Sequence, residues 1–183
     1  MKIPQKVIKF LDENKIKYEI VNHRTVYTAY DKAATLKVKP NIIGKTLVLK
    51  TDKDLVIALL PGNKNLDKNK FLKVANDWLN KKEEINSHGR IRIMSRAKRG
   101  TLRYSHADFI SEKLMKNKFK GIKIGTIPPF GNLYKLLTFV DRGLLKEKNI
   151  FVNSGIYEAS FKILPKIFEK LGGVFGNFAK TKK

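Results

Sequence analysis

Two apolar runs face each other across a short polar turn: Lys45-Thr46-Leu47-Val48-Leu49, then Thr51-Asp52-Lys53-Asp54, then Leu55 to Leu60. Strand-length apolar segments on both sides of a turn predict a β-hairpin. An antiparallel pair argues against a regular doubly wound sheet, in which every strand returns through a helical crossover. Further strands are expected at Lys17 to Val21, Gly121 to Ile124, Leu136 to Val140 and Ile150 to Val152. Helices are expected around Val7, Ile8 and Leu11, at Lys68 to Leu79, at Ala107 to Asn117 and at Ser160 to Leu171, the last kinked at Pro165. Thr28-Ala29-Tyr30-Asp31 has the spacing of a capping box ahead of the alanine-rich turn Lys32 to Leu36. The fold class is α/β in the α+β sense, a mixed sheet with helices around it.

At 183 residues and 42% hydrophobic content the chain can bury a real core, and residues 1–183 are expected to form a single domain. Its formal charge of +23 points to a polyanionic partner, nucleic acid first and an anionic membrane second. Most of the cations are lysine, and part of the excess can reflect a general composition bias. With no cysteine, disulfide scaffolds, thiol nucleophiles and thiolate metal sites are excluded. His23, His88 and His106 lack the spacing of a zinc site, which leaves only a carboxylate-held magnesium open. The expectation is no metal and no cofactor. No apolar run approaches the length of a membrane span, and the charged N-terminal stretch MKIPQKVIKFLDENK has no signal-peptide core. The chain is read as cytoplasmic, with no membrane contact.

Three places can carry chemistry. Lys45 follows Gly44 and enters an apolar strand. It is either a solvated surface amine or a cation held rigidly at a strand mouth, able to meet an anionic or carbonyl oxygen. Gly125 with Pro128-Pro129-Phe130-Gly131 is either a plain turn or a rigid loop whose backbone N–H groups face a substrate carbonyl. His23 is either a structural histidine or a polar group on a pocket rim. Separately, Arg90, Arg92, Arg96, Arg99 and Arg103 lie in a basic insertion at about 80–120. They form a solvated loop or a phosphate-contacting arm. No Ser-His-Asp motif, GxSxG, GxGxxG or GxxxxGK[ST] is present, so neither a conventional hydrolase nor a nucleotide-dependent enzyme is indicated.

Taken in order, several segments resemble the YbaK/EbsC family of aminoacyl-tRNA deacylases, related to the editing domain of bacterial prolyl-tRNA synthetases. They are His23 with Val26 to Ala29, Ile43 to Lys50, Ala58 to Gly62, Leu66-Asp67 with Lys70-Phe71, Gly125 to Gly131, Val140-Asp141 with Gly143 to Leu145, and Ile150 to Gly155. The resemblance covers most of residues 5–76 and 121–170 and leaves 80–120 unaligned. It implies a strongly curved mixed sheet surrounded by helices, and hydrolysis of misacylated tRNA in trans, with mischarged tRNA(Pro) as substrate. Lys45 would hold the polar end of the substrate, and Gly125 would supply a backbone contact to the ester. His23, Thr46, Pro129, Phe130, Gly131, Asn153, Ser154 and Gly155 would contact substrate, and the five arginines would contact nucleic acid. In the family scheme water attacks the ester with help from a tRNA ribose hydroxyl, and no side chain is the nucleophile. The implied partners are the aminoacylated 3′ end of tRNA and a prolyl-tRNA synthetase. Two other readings stay open: an inactive module that holds tRNA or a synthetase, and a general RNA-binding protein driven by charge.

Overall fold

The computed structural model describes residues 2–52, 54–88 and 103–181, with the side chains of 82–88 outside that description. In chain order the helices are α1 (Gln5–Glu13), α2 (Ala29–Thr35), α3 (Lys68–His88), α4 (Glu112–Lys118) and α5 (Ile167–Lys170). The strands are β1 (Tyr18–Asn22), β2 (Gly44–Thr51), β3 (Leu55–Pro61), β4 (Lys64–Leu66), β5 (Ala107–Phe109), β6 (Leu137–Asp141), β7 (Ile150–Asn153), β8 (Ala159–Ile163), β9 (Val174–Gly176) and β10 (Ala179–Thr181).

The expected hairpin forms, with Gly44 opposite Pro61 and Lys50 opposite Leu55. β3 is buried from Val56 to Pro61. A continuous apolar run needs cover on both faces, and β3 takes the centre of a sheet ordered β5-β2-β3-β6-β9. β2 pairs antiparallel with β3 and β5, while β3–β6 and β6–β9 are parallel, so the sheet is mixed. Alternation divides the strand between two cores. Val56, Ala58 and Leu60 pack with Phe71 and Ala75 of α3 and with Phe139 and Phe178. On the other face, Leu59 packs with Val7 and Leu11 of α1 and with Phe130 and Phe161. Ile57 meets Phe119 and Tyr134.

A second, antiparallel sheet has the order β1-β8-β7. Ile43, just before β2, bridges Phe151 of β7 in parallel. That bridge sets the first residues of β2 beside the last residue of β7, which decides where a pocket can form. The third, two-stranded piece pairs β4 with β10. Buried Asp141, at the end of β6, ties it in. One carboxylate oxygen accepts the N–H groups of Phe178 and Ala179, both at 2.8 Å, and the other accepts Gly143 N–H at 2.9 Å.

Three expected elements are corrected. Ser160 to Leu171 is not one helix: its first half is the strand β8, and only Ile167–Lys170 is helical. β1 and β7 both need a partner, and β8 fills the gap between them. Pro165 then prevents the chain from continuing in a ladder. Ala107 to Asn117 likewise begins as β5, pairing Thr51 with Ala107 and Leu49 with Phe109. Helix α4 starts only at the Ser111 cap, whose hydroxyl accepts Leu114 N–H at 3.3 Å. Gly121 to Ile124 is not a strand, because Gly121 and Gly125 both have positive φ, at 76° and 81°, and the chain turns between them.

Candidate functional site

A cavity of about 300 Å³ opens where α2, the start of β2, the end of β7 and the Gly125 turn converge. Each wall has a local cause. The capping box is present as expected: Thr28 Oγ1 accepts Asp31 N–H at 3.0 Å, and Asp31 accepts Thr28 N–H at 3.2 Å. It fixes the start of α2, whose first turn lines the cavity through Ala29, Tyr30 and Lys32. Gly44 begins β2 tightly: a methyl group there would come within 3.0 Å of both Leu59 and Val152. Lys45 and Thr46 follow it into the wall.

Lys45 is half-buried, and its ammonium donates to the carbonyl oxygen of Lys64. Thr46 lines the cavity too, but its hydroxyl is shut off from solvent and unpaired among the described residues. Gly125 also lines the cavity and lies in the left-handed region, φ 81°, which glycine adopts without strain. Its carbonyl accepts Asn153 Nδ2 at 3.1 Å. The same amide reaches Ile127 O at 3.4 Å. Asn153 Oδ1 in turn accepts the Lys32 ammonium at 2.7 Å. Asn153 thus joins α2 to the Gly125 turn. Tyr157 braces that turn from outside, donating to Ile124 O at 2.6 Å. Its ring lies 5.0 Å from that of Tyr27, which is 72% exposed on the rim, and Lys123 Nζ sits 5.3 Å over it.

The structure therefore brings together Lys45, Thr46, Gly125 and Asn153. The other expected contact residues lie outside the lining. Phe130 is 1% exposed in the apolar core against Phe10 and Phe168. Gly131 N–H donates to Thr138 Oγ1 at 2.9 Å, and that hydroxyl donates to Pro129 O at 3.2 Å, so this half of the loop is an internal brace. Ser154 is buried and donates to Ala159 O at 2.7 Å. Gly155 N–H donates to Thr126 O at 2.9 Å and supports the Gly125 turn from behind. His23 also stands off the cavity. Its Nδ1 faces Arg24 O at 2.8 Å and must carry the proton, so Nε2 accepts from Ser160 Oγ at 2.9 Å. Burial pushes its pKa below the usual histidine value, which favours this neutral ring. Arg103 is exposed, while Arg90, Arg92, Arg96 and Arg99 lie outside the described residues.

Lys32 was not anticipated. It is 6% exposed, and burial lowers its pKa to about 8. The signal was available in the spacing: Lys32 stands three residues after Ala29 and four before Leu36, on the inward face of a short helix. Tyr27, Tyr30 and Tyr157 were missed as well, since single tyrosines in separate segments carry no pattern. Among the described residues that line it there is no histidine, serine or carboxylate. Among the described residues no group of three or more His, Cys, Asp or Glu could hold a metal ion, and no helix is long and apolar enough to cross a membrane.

Residues 96–171 match the aminoacyl-tRNA editing domain. The match includes Gly125 and Asn153 but not Lys32 or Lys45, which precede it. Among solved structures, the hypothetical protein APE2540 superposes with a TM-score of 0.73 at 18% identity, covering 96% of this chain and 99% of that one. A candidate trans-editing enzyme for prolyl tRNA synthetase superposes at 0.67 with 20% identity, covering 96% of each chain. No curated protein matches significantly. At these identities the structures establish the fold, a mixed α/β arrangement shared along nearly the whole chain. The editing-domain resemblance read from the sequence is borne out.

Proposed function

We propose that this chain, in which an aminoacyl-tRNA editing domain is recognised, is a deacylase that hydrolyses misacylated tRNA in trans. The observation that carries this reading is the composition of the cavity: Lys45 and Gly125 line one space in which no serine, histidine or carboxylate stands among the described residues. Such a pocket suits a substrate that is already activated. An aminoacyl ester needs positioning and a donor for the developing oxyanion more than it needs a side-chain nucleophile. Among the described residues the Gly125 N–H has no acceptor, which leaves it available for such a contact. Water is the attacking group, helped by a ribose hydroxyl of the tRNA. The ring pair Tyr27 and Tyr157, flanked by Lys123, offers a stacking face for the terminal adenine. The partner is the aminoacylated 3′ end of tRNA. By analogy with the neighbour named for prolyl tRNA synthetase, that synthetase is the enzyme whose errors are corrected, in the cytoplasm. Residues 1–183 act as one domain, since β9 and β10 near the C-terminus pair with β6 and β4.

Editing is needed because a synthetase pocket discriminates poorly between amino acids of similar size. The test is single-turnover hydrolysis of alanyl-, cysteinyl- and prolyl-tRNA(Pro) by the purified chain. Loss of alanine or cysteine with prolyl-tRNA spared is the expected result. Tight binding with no hydrolysis of any ester would identify an inactive tRNA-holding module instead.

A further inference from the structure

No step above uses Lys32. Its ammonium has three donors, yet among the described residues it makes one hydrogen bond, to Asn153 Oδ1, and no ion pair. Among the described residues, no aspartate or glutamate lines the same cavity. Burying a cation without a counter-ion is costly, and a perturbed charge kept in a cleft is a mark of function. Its position is also fixed. Asn153 holds Lys32 with its oxygen and the Gly125 and Ile127 carbonyls with its nitrogen, so the ammonium and the Gly125 peptide share one rigid frame.

We propose that Lys32 binds the oxygen anion formed on the scissile carbonyl, a second catalytic cation beside Lys45; this rests on the deacylase reading above. The water oxygen bonds to the carbonyl carbon while the π pair moves onto the carbonyl oxygen, and that oxygen meets Lys32. The pair then returns and the bond to the ribose oxygen breaks. The ribose oxygen takes a proton from the attacking water. The products are a tRNA with a free hydroxyl and an amino acid whose carboxyl releases its proton to solvent. A pKa of about 8 leaves Lys32 mostly charged at neutral pH, as the role requires.

Two stable ligands separate this role from ordinary substrate binding. Adenosine 3′-(1-aminoethyl)phosphonate is tetrahedral and anionic where the intermediate is. 3′-Alanylamido-3′-deoxyadenosine is planar and neutral there, like the ground state. A group acting in the transition state should favour the first. Lys32→Met in the full chain should lose roughly 100- to 1000-fold in phosphonate affinity and in single-turnover rate, with the amide hardly affected. Its melting temperature should equal or exceed that of the wild type, because an apolar chain of similar length replaces a buried ammonium. Lys32→Gln, which keeps a donor for Asn153, gives the same readout should the Met variant not fold. Equal losses for both ligands, or no loss for either, overturn the proposal. A wild type that deacylates tRNA but does not prefer the phosphonate overturns it while leaving the deacylase standing. A wild type that deacylates nothing yet holds the phosphonate through Lys32 overturns the deacylase and supports the oxygen-anion site.

Discussion

Lys45 and Lys32 are both lysines in one cavity, but they have different costs. Lys45 is half-buried, and its ammonium donates to the Lys64 carbonyl. Lys45→Ala is expected to slow deacylation roughly 30- to 1000-fold, the loss of one charge-assisted contact in the transition state. Circular dichroism and the melting temperature should stay near wild type. Lys32 carries a stability signature instead. Its pKa falls from the ordinary 10.5 to about 8 on folding, through burial. Below pH 8 both states are protonated and the folded state bears the buried charge. Between pH 8 and 10.5 the unfolded state binds more protons, so stability rises with pH across that window, by about 3 kcal/mol at most. Urea titrations of wild type and Lys32→Met over that range should show the rise in the first and not in the second. Gly125→Ala tests the turn. A methyl group there meets nothing within 4 Å, so the penalty is backbone strain at φ 81°, about 1–2 kcal/mol, rather than a clash. Thermal melts with activity per folded molecule should show a lower midpoint and slower turnover.

At the scale of elements, the site is built from short pieces that need anchoring. Helix α2 has seven residues, too few for independent stability, and depends on the Thr28–Asp31 capping box and on burial of Ala33. The strands β9 and β10 each have three residues and rely on Asp141, which accepts three backbone N–H groups from a buried position. Asp141→Ala leaves those donors unmet. It should destabilise the fold by roughly 2–4 kcal/mol, seen in urea unfolding. Hydrogen exchange at Phe178 and Ala179 should accelerate most. The cavity is walled by α2, β2 and β7, and none of Asp141, Gly143, Phe178 and Ala179 lines it, so the folded fraction of this variant should retain deacylation.

Over the whole molecule, a formal charge of +23 favours a polyanionic partner. Each phosphate contact releases counterions, which ties affinity to salt. Arg92, Arg96 and Arg99, all changed to Gln, should flatten the log-affinity against log-salt slope for tRNA by about two to three. Hydrolysis of a minimal aminoacyl-adenosine, which lacks the acceptor stem, should change little. Equal slopes for the two proteins would separate this segment from RNA binding.

What the sequence determined by itself is local. The hairpin, the capping box and the lysine at the mouth of β2 are each written within one segment or two adjacent ones, where apolar period and turn chemistry act directly. What tertiary structure decided is non-local. Ala159–Ile163 became a strand because β1 and β7, distant in sequence, offered it two ladders. Phe130 left the pocket for the core because its ring found Phe161 and Phe168 there. Lys32 entered the site through a hydrogen bond to a residue 121 positions away. No local pattern encodes such a pairing, because it depends on which surfaces remain to be covered once the hairpin and its neighbours have packed.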